Sequence, residues 1–153
     1  MEQISDDIIH FFKTQGFVIV STIDSRGAPH NSCKGIVEIN KEGEVFLMDL
    51  YFGKTFKNLK ANPHISITAV DEHKFKGYSL VGKAKIIQEL DLKHHTIKAW
   101  DDKITSRITA RVIKNLREEK GHLRHPEALL PRPKYMILMQ TQKVVDLTPH
   151  PLK

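Results

Sequence analysis

Gly53, Lys54 and Thr55 stand where an apolar, strand-like run, Val45 to Leu50, gives way to a short lysine-rich stretch that ends at Asn62-Pro63. That stretch reads as the first turns of a helix. A helix start carries free backbone N–H groups and a partial positive charge, so a strand–Gly–Lys–Thr–helix junction suits a phosphate. Lys54 would supply charge, Thr55 a hydroxyl, and Lys57 a second charge one turn on. A solvated surface helix with unspecialised lysines is the competing reading. The sequence has no Gly-x-x-x-x-Gly-Lys-Thr pattern, which argues against a nucleotide P-loop.

The second chemical irregularity is Asn31-Ser32-Cys33-Lys34-Gly35, which breaks the apolar character of a strand at mid-length. A glycine inside a strand weakens it and often marks close approach by a ligand or another backbone. A flat ring lying beside Ser32 to Gly35 would explain the small side chains. A bulged edge strand with a solvent-facing lysine is the competing reading. Lys34 needs a partner or solvent in either case. Cys33, read as a small hydrophobe, has no neighbour in sequence that would activate it as a nucleophile, and no catalytic residue is assigned. Among the histidines, His94-His95 and the pair His122 and His125 lack the carboxylate spacing of a metal site.

The elements that must position these residues follow from patterning. Ser5 caps a first helix with Asp6 and Asp7 in its first turn and Ile4, Ile8, Phe11 and Phe12 at helical spacing, with Gly16 as its stop. Strands are expected over Phe17–Ile23, Ala28–Ile39, Glu44–Leu50, His64–Val70, Tyr78–Ile87 and Tyr135–Leu147. Turns fall at Asp24-Ser25-Arg26-Gly27, Asn40-Lys41-Glu42-Gly43 and Asp71-Glu72-His73-Lys74. Leu90, Leu92, Ile97 and Trp100 fit one helical stretch; Ile104, Ile108, Val112, Ile113 and Leu116 fit another, ended by Gly121. A proline-punctuated loop spans His125 to Pro133. Antiparallel strands with flanking helices suggest a small closed or partly closed barrel.

Size and composition bound the class. The chain has 153 residues, 40% of them hydrophobic and 27% charged, which favours one domain with an ordinary core. The net charge of +6 is spread along the chain rather than blocked, which counts against a nucleic-acid-binding barrel. One cysteine excludes an intramolecular disulfide and a cysteine-based zinc site. The acidic N-terminus has no apolar signal core, and no run reaches the ~20 apolar residues of a membrane span, so a cytoplasmic protein is expected.

In the order of its parts the chain resembles the pyridoxamine 5′-phosphate oxidase-like, FMN-binding split-barrel superfamily. The resemblance covers Phe17 to about Ile87. It is carried by the Asp24-Ser25-Arg26-Gly27-Ala28-Pro29 turn, by Lys54-Thr55-x-x-Asn58-Leu59-x-x-Asn62-Pro63, and by Leu80-Val81-Gly82-Lys83-Ala84. It implies a mainly β fold: a single domain over 1–153, a six-stranded antiparallel split β-barrel with strands over about 17–87 and 134–147 and a helical insertion over about 88–120. It implies a homodimer with FMN at the subunit interface, acting as an FMN-dependent oxidoreductase. Lys54, Thr55 and Asn58 would lie at the phosphate; Asn31, Ser32, Cys33, Lys34, Gly35 and Ile36 would line the ring and ribityl chain; Leu47, Met48 and Asp49 would sit beside the flavin. Ser32 stands where pyridoxamine phosphate oxidases carry an arginine, and their C-terminal Trp and Arg motif is not recognisable, so the resemblance extends to FMN and not to pyridoxamine. The family's range leaves open a non-catalytic FMN-binding electron carrier and a haem- or deazaflavin-binding member.

Overall fold

The computed structural model describes residues 3–49, 51–88, 97–106 and 135–150. Helix α1 (Asp6–Thr14) begins as its sequence dictates: the Ser5 hydroxyl accepts the Ile8 N–H at 3.5 Å, and Asp6 and Asp7 occupy the positive end. It buries Ile9 and Phe12. Its stop is Gln15, in extended conformation, whose N–H returns to the Phe12 carbonyl; Gly16 lies beyond the cap rather than forming it.

Seven strands follow: β1 (Val18–Ile23), β2 (Pro29–Lys34), β3 (Ile36–Ile39), β4 (Glu44–Met48), β5 (His64–Asp71), β6 (Lys76–Gln88) and β7 (Tyr135–Asp146), with α2 (Lys54–Ala61) between β4 and β5. All pairings are antiparallel, in the order β2-β1-β5-β6-β7-β4-β3. The six-strand expectation is therefore corrected to seven. The stretch Ala28–Ile39 is two strands, divided at Gly35. Its first half pairs with β1 and its second with β4, at opposite edges of one sheet. Because Lys34 and Ile36 flank a single residue, the two edges must meet at Gly35, and the sheet curls into a split barrel.

The interior is apolar and continuous. Phe12, Val18, Val20, Leu47, Ile67, Leu80, Ile137 and Met139 are buried in one cluster. Gly82 is required by close approach: a Cβ there would fall 2.1 Å from the Gln140 carbonyl oxygen, where the β6–β7 register shifts. Turn glycines Gly27 and Gly43 both take φ of +82°, as their turns require.

Residues 97–106 are helical, as expected for part of the insertion. Trp100 from this segment packs with Met48 and Met136, and with Val37 and Ile104, as a second cluster. Lys103 donates to the Ile36 carbonyl at the β3 edge. The expectations for Leu90, Leu92, His94, His95, Ile108, Val112, Ile113, Leu116, Gly121, His122, His125 and the proline loop lie outside the described residues. Among the described residues no helix is long and apolar enough to cross a membrane.

Candidate functional site

Helix α2 is seated by its polar side chains. Asn58, 5% exposed, donates from Nδ2 to the Thr22 hydroxyl of β1 at 3.0 Å. One turn earlier Thr55 Oγ1 lies 3.0 Å from Ser32 Oγ of β2. These two contacts fix the start of α2 against the β1–β2 hairpin. Gly53 is the N-cap and offers no side chain to the first-turn N–H groups, and no acidic residue lies in that turn. The positive end of α2 is therefore neither capped nor neutralised by the helix itself. Lys54 and Lys57 are exposed beside it. Asn62, extended, ends the helix before Pro63.

The hairpin turn contributes further charge. The Asp24 carboxylate accepts the N–H groups of Ala28 and Arg26, both at 2.9 Å, and these bonds hold its carboxyl below the usual range. The positive charges of Arg26 and Lys54 act in the same direction.

Strand β2 carries Asn31 to Lys34 differently from the interior strands. Asn31 and Cys33 point outward, and Ser32 and Lys34 are half-buried. The expectation of Cys33 as a small buried hydrophobe is thus corrected: it is exposed, because β2 is an edge strand whose alternate side chains face away from the core. Asn31 accepts from the Ser21 hydroxyl at 2.7 Å. Ile36 and Leu47 turn into the core, 3% and 0% exposed, and Met48 packs beneath Trp100. Any contact these three make with a ligand in this chain is through backbone or through the edge of the packed layer. Gly35 accepts the Met48 N–H at 2.8 Å, which brings the third-strand segment to the corner.

At that corner Lys34 finds the partner it needs. Its ammonium lies 2.9 Å from Asp49 Oδ1, and the two side chains are 9% and 5% exposed. Asp49 Oδ2 is buried with no hydrogen-bond partner among the described residues. The neighbouring Tyr135 hydroxyl spends its proton on the Tyr51 carbonyl at 2.8 Å. Burial first, and the Asp49 carboxylate second, push the Tyr135 phenol far above its ordinary range, so it stays a donor. Tyr135 was not singled out by sequence reasoning; the one available signal was a tyrosine opening a strand whose next residues, Met136 to Met139, are apolar. It holds Tyr51, and with it the turn that delivers Gly53 to α2.

Of the twelve candidate residues, then, Ser32, Thr55 and Lys54 gather at the start of α2, and Lys34, Gly35, Met48 and Asp49 gather at the β2–β3 corner. Asn31 and Cys33 share the outer face of β2, Asn58 seats the helix, and Ile36 and Leu47 belong to the core. Among the described residues no three His, Cys, Asp or Glu side chains group as a metal site.

No curated protein matches this sequence. Solved structures with the same fold include HupZ from Group A Streptococcus, at 19% identity over 95% of this chain and 94% of that one, with a TM-score of 0.66. HutZ, the haem storage protein of Vibrio cholerae, matches at 18% identity over 94% of both chains with a TM-score of 0.55. An F420 reductase matches at 13% identity over 93% of this chain and 98% of that one, with a TM-score of 0.58. At these identities the likeness is one of fold. The sequence model described as pyridoxamine 5′-phosphate oxidase matches residues 4–129, and the chain belongs to that family.

Proposed function

We propose that the protein binds FMN between two copies of the chain and serves as an FMN-dependent oxidoreductase. The observation that carries this reading is the Ser32–Thr55 contact at the start of α2, beside Lys54. Two hydroxyls, an uncapped helix start and a lysine form a donor set that suits a phosphate monoester.

Strand β2 supports the planar part. Among the described residues its one strand partner is β1, so its other side offers backbone N–H and C=O groups to the polar edge of a ring. Small side chains at Ser32 and Cys33 leave room for that approach. FMN, when bound, supplies the electron and hydride transfer; the protein binds, orients and tunes it. Lys54 and Thr55 hold the phosphate, and Asn58 keeps α2 in place. Lys34 is charge-compensated by Asp49, so this pair presents a neutral rather than a cationic wall.

The second copy is argued from one face of the sheet. Ile19, Ile23, Val70, Val81 and Leu147 are 38–58% exposed and stand on the same side, as the β1–β5–β6 register requires. Cys33 pairs with Ile19 and Asn31 with Ser21, so both β2 side chains belong to this face. These exposed apolar side chains, interleaved with Ser21, Ser66, Thr68 and Ser79 on the same face, favour association. A second copy seated there would bring its residues over β2.

The test is a titration of the purified protein with FMN, followed by visible absorbance and flavin fluorescence. Saturable binding to a dimer is expected, with Lys54→Ala weakening it by about tenfold or more. Equal affinity in Lys54→Ala removes this site. The same spectra distinguish a bound haem or deazaflavin from FMN, and reduction of loaded protein by NADH or NADPH with a second acceptor separates an enzyme from a carrier.

A further inference from the structure

Helix α2 has a second flank that the reading above does not use. Thr55 and Asn58 face the β1–β2 hairpin, while Phe56 and Lys60, one turn apart, face the other way. Phe56 joins Phe52 and Tyr135 in a three-ring cluster with centroids 4.8–4.9 Å apart. Between these rings and Ala84 and Ile86 of β6 lies a groove of about 540 Å³. That volume falls in the range of small-molecule sites, roughly 300–1,000 Å³. Phe52 remains 52% exposed although its ring is held on two sides, so apolar surface is left open at the groove.

The charge at the mouth is one-signed. Lys60 Nζ sits 4.9 Å from the centre of the Phe56 ring, where the π face steadies an ammonium. Lys85 is the other charged residue of the lining, and no carboxylate is among the described lining residues. We propose that this groove binds a small organic anion with a flat apolar body, of the aromatic carboxylate or sulfonate class. The body lies against Phe52, Phe56 and Ile86, and the anionic end meets Lys60. The site is separate from the phosphate-binding end of α2 and does not depend on the assignment of FMN.

The probe is 1-anilinonaphthalene-8-sulfonate, titrated into ¹⁵N-labelled protein and followed by amide shifts. Saturable one-to-one shifts centred on Phe56, Lys60, Ile86 and Gln88 are expected. Lys60→Glu, at an exposed position, should weaken binding about tenfold, a difference of about 1.4 kcal/mol. Phe52→Ala should weaken it several-fold, Lys54→Ala should leave it unchanged, and excess FMN should not displace the probe. The neutral analogue N-phenyl-1-naphthylamine should bind more weakly. Shifts centred instead on Val70, Phe75 and Leu147 overturn the proposal. So does unchanged affinity in Lys60→Glu, equal binding of the neutral analogue, or displacement by FMN.

Discussion

Strands β2 and β3 are halves of one continuous stretch, yet they live in different environments. No β2 residue is buried as a whole, though Lys34 turns its side chain inward, whereas Ile36 and Ile39 of β3 are 3% and 2% exposed. The outer edge of β3 is met by Lys103 and its Val37 packs with Trp100. The β2 half carries hydroxyl, amide, thiol and ammonium groups; the β3 half is mostly aliphatic. The contrast shows how a single glycine corner lets one stretch be buried scaffold on one side and a polar, partly exposed edge on the other. The Lys34–Asp49 pair stands at the joint.

The largest effect should come from that joint. Lys34→Met leaves Asp49 buried and unpaired, and should cost about 3–5 kcal/mol in urea unfolding. Adding Asp49→Leu should restore most of it. A loss under about 1 kcal/mol would mean the two halves are not tied there.

Next, the halves themselves should differ. Ile36→Ala should cost about 2–4 kcal/mol by opening a cavity. Cys33→Ala, two strand positions away from Lys34's corner glycine, should stay within about 0.5 kcal/mol. Similar values for the two would erase the distinction between scaffold and surface.

Asn58→Ala removes a buried donor to Thr22 and should cost about 1–3 kcal/mol. It should also weaken FMN binding through the displaced start of α2, while Cys33→Ala leaves the fold intact.

The smallest effect is expected at the exposed end of the β2 half. Asp24 has a folded pKa below its unfolded value, chiefly through the Ala28 and Arg26 N–H groups. Its contribution is therefore complete above about pH 4 and is lost as pH falls through the lower folded value. The stability difference between wild type and Asp24→Asn should shrink on acidification. A difference that grows in acid would contradict this sign.

Much of the scaffold was legible because β-branched runs such as Val18-Ile19-Val20 and Ile65-Ser66-Ile67 announce strands locally. Gly35 was legible as an anomaly, and so was the lysine beside it. Its meaning as a corner was not, since that depends on which strands each half pairs with. Lys34 and Asp49 meet because the pairing of Ile36 with Leu47, continued by the Met48 N–H to the Gly35 carbonyl, brings the segment after β4 to the corner. Ser32 and Thr55 meet through α2 docking, and Tyr135 reaches Tyr51 from the far end of the chain. Such through-space partners leave no periodic trace in one sequence.

The placement of β7 has a consequence for synthesis. It is the last of the described strands, yet it lies between β6 and β4, pairing with both. Until it leaves the ribosome, those two strands present bare hydrogen-bonding rims to whatever is nearby. A nascent chain stalled before Tyr135 is thus an open ribbon rather than a small barrel, with two edges exposed to mispairing.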